Sequence, residues 1–267
     1  MSGNIRTLIK FLLLMIIVFG MLVGIAYAVL NGQPDVDNDY PYVGIVTDGF
    51  FVCSCSAISP TVIVTAGHCF DYSEGEPVPV SVSFDQEVDP EDLPVMHEGI
   101  WYPHPEYCQA CEPGNFGFIK RDVAVIELSE PVVLSRYAEL PEEGLVDDLP
   151  NNTDVTVVGY GITHWLRGGG PPGWGFPEAG FTRYFAPTRL IPSKHKHNDE
   201  IIKLSGDRGQ DRGGTCFGDS GGPSLLSDTD TILALTSYGT NPLCAGVGFV
   251  NRIDTDAALE FIEGFLD

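Results

Sequence analysis

The sequence predicts an all-β protein in two halves, finished by a C-terminal helix. Three observations carry this. Short apolar runs rich in β-branched residues recur at 42–46, 61–65, 80–84, 122–128, 154–159, 232–236 and 246–250, each bounded by Gly, Pro, Asn, Asp or Ser. Residues 141–152 are acidic, carry no such run and divide the strands into two groups. After 253 the pattern changes: Leu259, Phe261, Ile262, Phe265 and Leu266 gather on one face of a helix that Asp254 or Thr255 can cap.

The elements follow in order. Residues 1–28 have the layout of a secretory signal: Arg6 and Lys10, an apolar run from Phe11 to Ile25, then Ala26-Tyr27-Ala28 as a small-x-small cleavage site. The alternative is an uncleaved anchor, since 11–30 is long enough to span a bilayer. Residues 29–140 form the first β half, 141–152 the connector, 153–253 the second half and 254–267 the helix. The stretch 161–192 is dense in Gly, Pro and aromatics and reads as a long surface loop. Lys194-His195-Lys196-His197 reads as a solvated turn rather than a metal site. The acidic run 85–92 reads as solvated, and Asn151-Asn152-Thr153 fits the glycosylation acceptor pattern.

Composition narrows the function. The chain of 267 residues carries a net charge of −23, and 43% of its residues are hydrophobic. Residues 1–28 hold two cations and no acid, so the remainder carries −23 − 2 = −25. That sign opposes nucleic acid, which selects cationic surfaces. The hydrophobic share supports a packed core rather than a disordered acidic tail. All seven cysteines lie beyond the signal, so export predicts disulfides and one cysteine left over.

Three stretches carry chemistry together that none carries alone. Thr65-Ala66-Gly67-His68-Cys69 holds a histidine, Asp122 opens an apolar strand, and Gly218-Asp219-Ser220-Gly221-Gly222-Pro223 holds a serine inside a glycine run. A serine hydroxyl is a weak nucleophile that needs a neighbouring base, and the base needs an orienting group. In this order and with these flanks, the three stretches resemble the histidine, aspartate and nucleophile motifs of the trypsin/chymotrypsin family of serine endopeptidases. Gly159-Tyr160-Gly161, Ser237-Tyr238-Gly239, the 53–60 stretch and His104-Pro105-Glu106-Tyr107 extend the resemblance over nearly all of 29–266.

The resemblance implies two six-stranded antiparallel β-barrels of the chymotrypsin-like kind with a C-terminal helix. It implies a triad of His68, Asp122 and Ser220 and an oxyanion hole from the Gly218 and Ser220 N–H groups. Ser237 would bond Asp122. Asp219 would pair with the α-amine of Val29, which signal cleavage alone would release. Gly214 would floor the specificity pocket and Gly239 and Gly248 would line its wall, giving cleavage after apolar or aromatic residues; Asp207 and Asp211, upstream, could rim the pocket and restore some preference for cations. It also implies the disulfides Cys53–Cys69 and Cys216–Cys244, with Cys55 as the odd thiol. Cys108 and Cys111 depart from the family; a local Cys108–Cys111 disulfide is expected, against another pairing or a metal shared with His104. No cofactor or metal is expected. The expected partner is a protein or peptide substrate, with no nucleic acid, with a membrane only if the signal stays uncleaved, and with the chain a secreted monomer. The rival readings are a silent binding protein of the same fold, a tethered protease, and an α/β esterase whose triad order this chain lacks.

Overall fold

A computed structural model describes residues 29–89, 95–109, 119–161, 181–191, 199–206, 212–240, 244 and 246–266. Residues 1–28, read above as a signal, Cys111, most of the 161–192 stretch, Lys194 to His197, Asp207 and Asp211 lie outside them.

Strand β1 (Gln33–Pro34) is followed by β2 (Val43–Thr47), β3 (Val52–Ala57), β4 (Val62–Thr65), β5 (Val78–Ser83), β6 (Glu87–Val88), β7 (His97–Pro103) and β8 (Ala124–Leu128). Six of these close a barrel in the order β2-β3-β4-β8-β7-β5, every pair antiparallel. Closure leaves no open edge. Val43, Ile45, Ile63, Val82, Trp101 and Ile126 are buried in the core. The indole Nε1 of Trp101 donates to the Ala66 carbonyl at 3.3 Å, and its ring meets Phe70 edge-on at 5.4 Å. Those contacts seat the 3-10 helix Gly67–Ser73, which carries His68, against the barrel.

The second half holds β9 (Asp154–Gly159), β10 (Phe181–Thr182), β11 (Tyr184–Arg189), β12 (Ile201–Gly206), β13 (Pro223–Leu226), β14 (Ile232–Gly239) and β15 (Gly246–Arg252). Its sheet has seven strands in the order β1-β11-β9-β13-β14-β15-β12; β1 adds outside β11, and β11 and β12, the ends of the remaining six, meet at one bridge, Leu190 to Leu204. The extra strand is β1, supplied by the segment that leads into the first barrel.

Two strands correct the reading of 161–192 as loop throughout. β10 pairs with β6, and β11 pairs with β9 along six residues. Pro187 hides β11 in the sequence, since proline cannot donate to a ladder. Here its register partner is Thr156, and its carbonyl accepts from Gly213 N–H at 2.9 Å.

The connector contains a short helix, Leu145–Asp148. Asp254 is not the cap of the C-terminal helix Asp256–Glu263; Thr255 is, accepting from Ala258 N–H. The buried Asp254 carboxylate instead accepts from Val146 N–H at 2.8 Å and pairs with Arg252 at 2.8 Å, tying connector to strand end. The C-terminal helix crosses back to the first half: Phe265 packs on Tyr102 at 5.4 Å and Phe261 on His104 at 4.9 Å.

A buried ion pair links the halves. Arg183, between β10 and β11, and Asp35, after β1, are both fully buried, with Nε to Oδ2 at 2.7 Å. Arg183 also donates to the carbonyls of Val43 at 2.9 Å and Phe84 at 3.2 Å. Burying two charges is tolerated only when each is paired and bonded; removing one partner strands the other. Arg183→Met should therefore lower stability by about 3–5 kcal/mol. Adding Asp35→Leu should recover part of that loss, read as the shift in urea midpoint.

Candidate active site

The site lies on the seam between the halves. The first barrel supplies His68, from the helical turn after β4, and Asp122, just before β8. The second supplies Ser220, on the turn before β13, and Ser237, on β14.

His68 Nδ1 lies 2.9 Å from Asp122 Oδ2 and 3.1 Å from Oδ1, and the His68 N–H donates to Oδ1 at 2.9 Å. Ser237 Oγ donates to Asp122 Oδ2 from the other side. Asp122 is fully buried while His68 is 18% exposed. Burial by itself raises the Asp122 pKa, but the His68 charge and the bonds from His68 and Ser237 outweigh it and hold the carboxyl below its usual range. Burial by itself lowers the His68 pKa, and Asp122 overrides it upward. The carboxylate is thus ionised and the imidazole is oriented by Nδ1, with Nε2 left for another partner.

Two residues that the sequence reading missed present Asp122. Arg121 has φ 52, a left-handed conformation uncommon for a residue with a side chain. Glu200, at the entry to β12, accepts from its N–H at 2.8 Å and pairs with its guanidinium at 2.8 Å. No local motif marks this pair, because the two residues are 79 apart.

The glycines around Ser220 have steric reasons. Gly221 has φ +76, and a Cβ there would stand 2.1 Å from Thr65 Oγ1. A Cβ on Gly161 would stand 2.6 Å from Asp219 Oδ2, so a side chain there would invade the acid's chamber. Neither the Gly218 nor the Ser220 N–H has an acceptor among the described residues. Two unspent backbone donors on the loop of the candidate nucleophile are available to an oxygen from outside the chain. Among the described residues no hydrogen bond joins Ser220 Oγ to His68. Such contacts are often long until substrate is bound.

Asp219 is fully buried beside Ser220. Its carboxylate accepts N–H bonds from Gly161 and Cys216, both at 2.8 Å, and from Val29. Burial dominates over these three donors and pushes its pKa up to about 7. Val29 itself is fully buried and has φ 46. The backbone nitrogen singled out in the sequence therefore reaches the acid singled out in the sequence.

The pocket glycines fall as two groups. Gly239 and Gly248 are direct partners across β14 and β15. A Cβ on Gly239 would meet nothing within 4 Å. Gly214 pairs through its backbone with Leu30, at 2.7 and 3.0 Å, and faces Gly206. Cys216–Cys244 joins the nucleophile loop to the segment before β15, and Cys53–Cys69 joins β3 to the histidine turn. Cys55 is free and fully buried, and burial raises its pKa. Cys108 is disulfide-bonded; its expected partner, Cys111, is not among the described residues. His104 is a packing residue: its Nδ1 accepts from Glu106 N–H at 3.0 Å, and the ring bonds the Ala257 backbone.

With this geometry in view, the comparisons agree. Residues 29–258 match the family model described as Trypsin. A trypsin of Phaedon cochleariae is 28% identical over 79% of this chain and 78% of its own length. Brachyurin of Leptuca pugilator is 28% identical over 81% and 88%. A solved structure of HL collagenase has a TM-score of 0.65 and 20% identity, covering 88% of this chain and 96% of its own. Mouse neuropsin, a serine protease, has a TM-score of 0.63 and 18% identity over 88% and 99%. The chain belongs to the trypsin family, and its relatives are serine endopeptidases.

The Asp219 shift has a stability consequence. The folded-state pKa of about 7 exceeds the ordinary aspartate value of 3.8, so between those values the folded chain binds more protons than the unfolded one. Stability then falls as pH rises through that window. With residue 28 still attached to Val29, the chain should lose urea resistance between pH 4 and pH 7 relative to its Asp219→Asn variant. Equal pH profiles for the two proteins would contradict the assignment.

Proposed function

We propose that this chain is a secreted serine endopeptidase that cuts peptide bonds through an acyl-enzyme on Ser220. The observation that carries the reading is the His68–Asp122–Ser237 chain standing beside two unspent N–H groups, with Ser220 on the same loop. Roles follow the Ser-His-Asp template of the family. Ser220 Oγ attacks the scissile carbonyl while His68 Nε2 takes its proton. The carbonyl oxygen, now anionic, accepts from the Gly218 and Ser220 N–H groups. His68 returns the proton to the leaving amine, and the acyl-enzyme forms as the C–N bond breaks. Water repeats the sequence to free the carboxylate product and Ser220. Asp122 stays ionised throughout, which its lowered pKa favours.

Activation follows from the Asp219 chamber. Cleavage after Ala28 converts the Val29 N–H donor into an α-ammonium, whose ordinary pKa is about 7.7–8.0. A buried carboxylate that N–H donors leave at about 7 then gains a full opposite charge. The ion pair lowers the Asp219 pKa and fixes the loop that bears Gly218 and Ser220. Signal removal thus completes the site with no separate activation peptide.

Specificity follows from the wall. Glycines at 214, 239 and 248 leave room for a large side chain, and no charged side chain stands at these three positions. The preferred residue before the cut is apolar or aromatic: Phe, Tyr, Leu or Met.

A fluorophosphonate probe should label the secreted protein at Ser220, in a chain whose mass places its N-terminus at Val29. Labelling should vanish in Ser220→Ala and His68→Ala. Folded protein that takes no label would overturn the protease reading. In a peptide library the residue before the cut should be Phe, Tyr, Leu or Met; a profile dominated by Arg or Lys would reject the pocket assignment.

A further inference from the structure

We propose that Ser54 is a positioning residue for the oxyanion loop, acting on rate through Gly218 without touching substrate. The proposal rests on the protease reading of the site. Ser54 lies on β3 of the first barrel and is fully buried. Its N–H donates to the Ser220 carbonyl at 2.8 Å. Its carbonyl accepts from Thr65 Oγ1 at 2.8 Å. Its hydroxyl accepts from Tyr160 N–H at 2.9 Å and stands 2.8 Å from the Gly218 carbonyl. The proton assignment is unambiguous. An amide N–H can only donate and a carbonyl can only accept, so the single hydroxyl proton points to Gly218.

One side chain and one backbone N–H therefore hold the carbonyls of residues 218 and 220, the two residues whose N–H groups are unspent. Gly218 needs such a tie. Its φ is +94, and with no Cβ it can leave that conformation at little steric cost. Fixing its carbonyl fixes the plane of the next peptide, and with it the path from Gly218 through Asp219 to Ser220. Preorganised donors act on the transition state because they need not reorient when charge develops. The bond is also anchored behind Ser54: Tyr160 OH donates to the Asp85 carbonyl at 2.7 Å and accepts from Arg183 at 3.3 Å.

Residue type alone does not explain the contact. Ser56, two residues along the same strand, is equally buried, and its Oγ has no partner among the described residues. It is the natural control: the same truncation in the same barrel, with no bond to the nucleophile loop.

The test uses the protein beginning at Val29, as wild type, Ser54→Ala, Ser54→Gly and Ser56→Ala. Turnover of a peptide amide is measured together with two affinities. One is for a peptide aldehyde, whose adduct with Ser220 places an oxygen at the 218 and 220 N–H groups. The other is for the matching product peptide, whose binding needs no tetrahedral adduct. Removing one oxyanion donor outright typically costs about 10²–10³ in kcat; loosening its support should cost about tenfold. Ser54→Ala and Ser54→Gly should each lose that factor in kcat at unchanged KM and the same factor in aldehyde affinity. Product-peptide affinity should hold, and Ser56→Ala should keep wild-type kcat. A folded Ser54→Ala enzyme with full kcat overturns the proposal. So do parallel losses of aldehyde and product binding, or failure of both Ser54 variants to fold, since either result makes Ser54 a residue of the fold alone. A wild-type protein without turnover removes the protease reading first, and this proposal with it.

Discussion

The seam between the two β halves is the constraint on which the rest of the structure depends. Neither half holds a working set of groups. The first carries an oriented imidazole and its carboxylate; the second carries Ser220, the unspent N–H groups of residues 218 and 220, and the paired glycines 239 and 248. Their relative position must hold to a fraction of an ångström, because misplacing a reacting group by about 1 Å can cost about 10²-fold in rate. The seam is therefore bonded, not merely packed. Ser54 ties β3 to the nucleophile loop, Ser237 reaches from β14 to Asp122, Glu200 holds Arg121, and Arg183 joins β2, Phe84 and Asp35. The C-terminal helix closes the far side by leaving the second sheet and packing on Tyr102 of the first barrel.

Three fully buried aspartates show how the fold handles charge there. Asp35 has a guanidinium, so the pair is neutral as a unit. Asp122 has an imidazole and a hydroxyl, which stabilise its anion and leave a base on the solvent side. Asp219 has N–H donors only. Donors without a cation do not match the desolvation of a carboxylate, and its pKa rises accordingly. The member of the set without a cation lies directly beside Ser220, where a single new charge has leverage over the loop.

The cysteines follow the same division between local and tertiary causes. Cys53–Cys69 spans 16 residues and Cys216–Cys244 spans 28, and each braces a loop that carries a candidate catalytic group. Cys55, one strand position pair from Cys53, points into the sealed barrel and stays a thiol. The alternation of side chains along β3 does not separate the two, since residues 53 and 55 share a face. What separates them is distance to Cys69, a property of the folded barrel.

The sequence by itself determined the all-β class, the family, and the identity of the groups that make the candidate site. Those properties are local: a β-branched run bounded by turn formers, a histidine in TAGHC, and a serine in GDSGGP are legible wherever they occur. It also flagged Asp219, because a buried acid demands a partner, though Val29 entered only through the resemblance. The tertiary structure alone decided the rest. It made 181–189 two strands despite Pro187, because β6, β9 and β1 offered edges to pair with. It moved Asp254 from helix cap to connector tie, because Arg252 and Val146 lay within reach. It enlisted Ser54 and Glu200, whose partners lie 164 and 79 residues away. Such roles have no local signature, since a hydrogen bond depends on the distance between two atoms in space and not on their separation along the chain.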